Sequence, residues 1–238
     1  CNQTIAQEDI FVISDTLNDK HYAENIMVTS APHIRFYAGC PIRARSGEKL
    51  GALCLKHSIP RTFTDKDKQL LKQLTEMVEE EIDYNPLLDE DKLTGLLNRE
   101  AFERRAQKLL NIFVPYQASI TMYYFDVNNY KRISHAHGIS AGDEALIHFS
   151  RILTEIFTDT ELISRLVDDE FVVLSVCEQS ENKLEQLADA VKNYNANVSP
   201  HLNVEYTVGT ASSRSMDNID LQSLYMYADT DLYEHKSH

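Results

Sequence analysis

The sequence predicts an α+β chain of two units, the second built around a central antiparallel sheet of ferredoxin-like topology. Two observations carry this. Residues 91–238 run in the order strand, helix, strand, tight turn, strand, helix, strand, read from apolar runs of alternating and helical period. A right-handed crossover followed by a hairpin arranges four such strands as one antiparallel sheet. Residues 1–84 hold short β-like runs and then one amphipathic helix, which ends at Asn85-Pro86 because proline disfavours helix in the residue before it. The expected division is a first unit at 1–84, a linker at 85–90 and a second unit at 91–238.

In the first unit, Ile10 to Asp15 reads as a short strand ending in a turn, and Asp19 to Asn25 as a polar loop. His33 to Ile42 and Leu50 to Leu55 read as strands of a hairpin, joined through Ser46-Gly47-Glu48-Lys49. Thr64 suits the N-cap of the next helix, and Asp65 and Asp67 suit its positive end. Leu71, Leu74, Val78 and Ile82 form its apolar stripe. That stripe either packs on the unit's own sheet or pairs with a second copy in a homodimer.

In the second unit, Asp91 to Arg99 precedes a helix carrying Phe102, Leu109, Leu110 and Phe113. Ser119 to Asp126 reads as a strand, and Asn128, Asn129, Lys131 and Ser134 as members of a polar loop. A helix from Ala141 to about Phe157 buries Leu146, Phe149, Leu153 and Ile156. Leu162 to Leu166 and Phe171 to Val176 then flank Asp168-Asp169-Glu170, a hairpin with acids at its tip. A helix from about Glu181 to Tyr194, a strand from Val204 to Thr210 and a helix from about Ile219 to Lys236 complete the unit.

The third strand of this topology pairs beside the first, so Asp126 is expected to meet Asp169 and Glu170. Adjacent like charges are tolerated most easily around a cation. Carboxylates gathered on Mg²⁺ hold nucleotide phosphates for in-line attack. A fully solvated tip without an ion is the plainer alternative. His135 and His137 lack a third ligand nearby and read as solvated loop residues. Tyr123, Tyr124 and Phe125 read as core, and Asp143 reads equally as a helix-start acid.

Composition excludes several classes. The 37 acids exceed the 23 Lys and Arg, giving a net charge of -14, which repels nucleic acid and anionic membrane. The four cysteines form no CxxC pair and read as reduced, structural thiols. No apolar run approaches the roughly 18 residues of a membrane span, and no signal peptide is visible. A cytoplasmic location without direct membrane contact is expected. The chain opens at Cys1 without Met, which reads as a piece of something longer.

The residues also carry two resemblances. Asp15, Asn25, Pro32 to Gly39, Leu50 to Cys54 and Pro60-Arg61 resemble the second half of a GAF domain, a sensor module, without its opening strand and helix. Asp91 to Arg99, Asp126 with Lys131, Gly142-Asp143, Asp169-Glu170-Phe171 and Ala228-Asp229 with Leu232-Tyr233 and Lys236 resemble the GGDEF family. That resemblance implies a nucleotidyl-cyclase or palm-type fold and a diguanylate cyclase, in which a dimer joins two GTP into cyclic di-GMP. It further implies Asp126, Asp169 and the Val127 carbonyl as Mg²⁺ ligands and Glu170 as catalytic base or metal partner. Asp143 would take the guanine edge, with Lys131 and Lys236 near the phosphates.

Departures accompany the match. The two signature glycines are Val167 and Asp168 here, and the guanine-binding Asn is Ser134, too short for an amide pair. His135, Ile139 and Asn128 also depart, and Thr158 to Glu161 replace the inhibitory RxxD motif. The chain stops at His238, before the family's terminal Gly-Arg-Asn. The expectation is a cyclic di-GMP signalling protein with a degenerate domain, weak or inactive as a cyclase, that acts by binding a guanine nucleotide or a protein partner. A working cyclase and a purely structural dimerisation module are the alternatives.

Overall fold

The structure is a computed structural model that describes residues 2–83, 85–128, 130–157, 161–176, 182–216 and 218–236. Expectations resting on Cys1, Asn129, Thr158 to Thr160, Cys177 and Glu181 fall outside these residues. Packing divides the chain into two compact units, Cys1–Tyr84 and Asn85–His238. No helix among the described residues is long and apolar enough to cross a membrane.

In the first unit, α1 (Asn2–Ala6), β1 (Phe11–Ile13), α2 (Ile26–Thr29), β2 (Phe36–Arg43), β3 (Lys49–His57) and α3 (Asp65–Ile82) follow in order. The strands form an antiparallel sheet in the order β1-β2-β3. Two short helices, α1 and α2, stand where the sequence pattern indicated nothing regular. Thr64 caps α3 reciprocally: its hydroxyl accepts from the Asp67 amide at 3.2 Å, and Asp67 accepts from the Thr64 amide at 2.8 Å. Leu71 joins Phe36, Ala38 and Cys40 in a small core, so α3 packs on its own sheet. Leu74 and Ile82 of the same stripe remain exposed.

In the second unit, α4 (Pro86–Asp89) and α5 (Arg99–Phe113) lead to β4 (Thr121–Val127). Next come α6 (Tyr130–His137), α7 (Ile139–Ile156), β5 (Leu162–Val167), β6 (Glu170–Ser175), α8 (Lys183–Asn197), β7 (Tyr206–Ser212) and α9 (Leu221–Lys236). The sheet order is β5-β6-β4-β7 with every pair antiparallel, the ferredoxin-like arrangement. Successive β4 residues alternate faces. Tyr123, Phe125 and Val127 enter the core with Phe149 and Leu153 of α7. Tyr124 faces the other way and packs on Tyr225 of α9, which in turn meets Phe102 of α5.

Two expectations are corrected. Residues 130–137 form α6 rather than a polar loop, so Lys131 and Ser134 are helical. Only Ile133 of that helix is buried, which left too thin an apolar stripe to read from sequence. Helix α7 begins at Ile139, after Gly138 at φ +91°, so Asp143 is its fifth residue and no helix-start acid.

Ahead of α5, Leu97 lies along β5. Its amide donates to the Ile163 carbonyl at 3.3 Å, and its carbonyl accepts from the Arg165 amide at 3.1 Å and the Ser164 hydroxyl at 2.7 Å.

Candidate functional site

The β5–β6 hairpin turns through two residues, Asp168 and Asp169, between the paired Val167 and Glu170. Asp168 has φ +46°, the left-handed region in which glycine costs least. Val167 points into solvent at 48% exposure. Arg165 supports the turn from inside the hairpin. Its Nε and Nη2 donate to the Asp168 carbonyl at 2.9 and 2.7 Å, and Nη1 reaches Asp91 Oδ1 at 3.1 Å. The same Asp91 oxygen accepts from the Thr94 amide and hydroxyl at 2.9 and 2.7 Å.

Burial opposes ionisation of Asp91, but the hydrogen bonds from Thr94 and Arg165 outweigh it and hold the carboxyl below its ordinary range. A depressed carboxylate contributes stability that is complete above the unfolded value, about 3.9, and disappears as pH falls through the folded value. Asp91→Asn is therefore expected to cost about 1–2 kcal/mol at pH 7. The gap in melting temperature between the two proteins should narrow as pH drops from 5 to 3. A gap constant across that range would mean that Asp91 supports the turn by shape rather than charge.

At the exit of β4, Asp126 pairs in register with Glu170, and the Val127 amide donates to the Asp169 carbonyl at 3.0 Å. The backbone thus brings Asp126, Val127, Asp169 and Glu170 to one end of the sheet. Lys236, at the end of α9, joins them with Nζ 2.6 Å from Asp126 Oδ2. Glu170 Oε2 accepts from the Tyr124 hydroxyl at 2.8 Å. Burial, reinforced by Glu170, pushes the Tyr124 phenol far above its ordinary range, so it stays a donor.

Among the described residues, no three His, Cys, Asp or Glu side chains converge as a ready-made metal cage. The donor set nonetheless fits a divalent cation: Asp126 already holds an ammonium, and a second carboxylate and backbone carbonyls stand beside it.

The other residues expected at the nucleotide, Ser134 and Asp143 toward the base and Lys131 toward the phosphates, are not bonded to this end. Among the described residues, no hydrogen bond or ion pair links Lys131, Ser134 or Asp143 to Asp126, Asp169 or Glu170. The Ser134 hydroxyl is buried without a hydrogen-bond partner. It points at Gly142 of α7, where any Cβ would collide with it. Lys131 is exposed and Asp143 half-buried. His135 and His137 stand two residues apart on α6, which turns them about 200° from one another, away from any shared ion.

Sequence reasoning missed three of these residues. Tyr124 was legible only as core, and the Asp91–Arg165 contact spans a separation of 74 residues. The one available signal was an arginine inside the apolar run Leu162 to Leu166, beside the acids.

The fold and this acidic end define a ferredoxin-like α+β domain with carboxylates where its first strand meets its central hairpin. Residues 88–238 match the family described as diguanylate cyclase, GGDEF domain, and the chain belongs to that family. Residues 1–82 match the GAF domain. Diguanylate cyclase DgcP of Escherichia coli is 26% identical over 192 residues, covering 74% of this chain and 54% of that protein. Diguanylate cyclase DgcM of Escherichia coli is 27% identical over 208 residues, covering 87% and 46%. The chain thus spans about half the length of these curated relatives. A sensory box/GGDEF family protein of Caulobacter crescentus superposes with a TM-score of 0.55 at 25% identity, over 63% of this chain and 98% of that one. The GGDEF domain of DgcB from Caulobacter crescentus, solved with c-di-GMP, has the same fold, with a TM-score of 0.56 at 18% identity over 63% and 91%.

Proposed function

We propose that this chain is a cytoplasmic signalling protein of the cyclic di-GMP system whose GGDEF unit binds a guanine nucleotide with Mg²⁺ but is weak or inactive as a cyclase. The observation that supports it is the contrast at one end of the sheet. Asp126 and Glu170 pair there, whereas a β-branched side chain, Val167, flanks the adjoining turn and an extra carboxylate, Asp168, occupies it. In this reading Asp126, Asp169 and the Val127 carbonyl hold the ion, which neutralises phosphate charge when bound. Lys236 and Lys131 stand toward the phosphates, and Asp143 toward the base edge. Glu170, oriented by Tyr124, accepts the proton of an attacking 3′-hydroxyl in whatever catalysis remains.

Calorimetry with GTP, with and without Mg²⁺, tests the reading beside an assay for cyclic di-GMP. Mg²⁺-dependent GTP binding is expected, weakened at least tenfold in Asp126→Ala, with little or no product. Binding indifferent to Mg²⁺ and to Asp126 would sink it. Clear turnover would favour the second reading, a working cyclase, which the hydrogen bond orienting Glu170 supports. Output through a homodimer is favoured by the exposed Leu74 and Ile82 of α3, and a protein partner would read that state.

A further inference from the structure

Asp126 and Glu170, opposite one another on β4 and β6, each have a partner within the chain, and the two partners differ in kind. Glu170 Oε2 accepts from the Tyr124 hydroxyl at 2.8 Å, a neutral donor that leaves the carboxylate its charge. Asp126 Oδ2 lies 2.6 Å from Lys236 Nζ, a full positive charge that cancels it. Among the described residues, no hydrogen bond or ion pair engages the Asp169 side chain. The acid held by a cation is thus the one that closes the first strand of the sheet.

The backbone that carries Lys236 is fixed. The Thr210 amide and hydroxyl of β7 donate to Asp231 Oδ2 at 2.7 and 3.2 Å, and Asp231 stands on α9 shortly before Lys236. Leu232, between them, is buried against the sheet. The Lys236 side chain itself is 37% exposed, a compact charge on a flexible four-carbon stem. Its ammonium can therefore move while the helix stays seated.

We propose that Lys236 is a built-in competitor for the divalent ion: its ammonium holds Asp126 until nucleotide phosphates draw it away, so that ion and nucleotide are taken up together. The inference rests on the nucleotide reading above and deepens it by giving the order of binding. Mg²⁺ needs its oxygen ligands at about 2.0–2.1 Å, and an ammonium bonded to Asp126 Oδ2 takes that oxygen from it. Like charges this close also repel, which weakens the ion's hold on the remaining oxygen. A chain of phosphates offers the ammonium more negative charge than one carboxylate does. Moving to it, Lys236 releases Asp126 and adds its attraction to the phosphates. One residue then opposes the ion alone and favours the ion with nucleotide. Such coupling is reciprocal: the nucleotide tightens the ion by the factor by which the ion tightens the nucleotide.

The test counts unbound Mn²⁺ by electron paramagnetic resonance in titrations of the whole chain, with Mn²⁺ standing in for Mg²⁺. Lys236→Met keeps an unbranched stem and removes the charge at an exposed helix end, so the fold should be retained. Without nucleotide, Lys236→Met is expected to bind Mn²⁺ about threefold or more tighter than the unaltered chain. Lys131→Met removes the same charge from α6, where among the described residues no ion pair joins it to Asp126, and should stay within about twofold. The second arm adds a GTP analogue with a methylene bridge between its α- and β-phosphates, which cannot be cyclised. With it the unaltered chain should gain about tenfold or more in Mn²⁺ affinity, and the advantage of Lys236→Met should vanish or reverse. Equal Mn²⁺ affinity for Lys236→Met and the unaltered chain without nucleotide overturns the proposal. So does an equal gain in Lys131→Met, or an advantage of Lys236→Met undiminished by the analogue. Failure of the nucleotide reading looks different: calorimetry would find the analogue bound by none of the three proteins, while the gain of Lys236→Met on Mn²⁺ alone persisted.

Discussion

Gly209→Ala is expected to destabilise the second unit by about 3 kcal/mol or more, at the upper end for an overpacked site. Gly209 sits in the middle of β7, opposite Tyr124, directly beneath α9. A Cβ there would collide with the Ala228 carbonyl oxygen and the Leu232 amide, and would lie 2.8 Å from Leu232 Cα. These are backbone atoms, so no rotamer change relieves the clash. Helix α9 would have to lift from the sheet, uncovering Leu224, Ala228 and Leu232, which are at most 5% exposed. At roughly 2–4 °C per kcal/mol for a unit of this size, the melting temperature should fall by about 6–12 °C. Thermal and urea unfolding monitored together would measure it. A loss below about 1 kcal/mol would mean that α9 is not seated against β7 as described.

Val167→Gly combined with Asp168→Gly is expected to strengthen Mg²⁺-dependent GTP binding by one to three orders of magnitude. The Asp168 charge beside a phosphate at about 4 Å is worth roughly 1 kcal/mol in bulk water and about 4 at an effective dielectric near 20. Removing it spans that affinity range. Glycine also suits φ +46° and removes the Val167 branch from the approach to the turn. The turn should keep its path, because Arg165 grips the Asp168 carbonyl, which glycine retains. Calorimetry decides it. Unchanged affinity would place the defect at Ser134 or at the base-reading side instead.

Strong periodicity made most of this architecture legible. The run through Tyr123 and Phe125 and the run through Phe171 and Val173 are β-branched and aromatic, and they pair as β4 and β6. Thr64 and Asp67 announced the start of α3 by their chemistry. Legibility failed where the physical signal was weak. Helix α6 buries one residue, and α7 starts after a glycine with no side-chain cap. At the acidic end, strand order makes β4 and β6 neighbours and brings Asp126 and Glu170 to the same end of the sheet, and the observed register sets them opposite each other. Side-chain direction is a different matter. Nothing in the spacing of Ser134 shows its hydroxyl turned against Gly142, and nothing local joins Asp91 to Arg165. The hydroxyl of Tyr124 was hidden for another reason: a buried aromatic in a strand looks like packing until its one polar atom finds Glu170.

Leu97 bonds along β5 from Ile163 to Arg165, so the chain itself occupies the Ile163 carbonyl and the Arg165 amide on the outer rim of that strand. A bare rim is a template for a stranger's strand and the usual starting point of ribbon-like aggregates. Here the polypeptide fastens its own selvedge at that point, which leaves a stranger's strand a shorter rim of β5 to pair with.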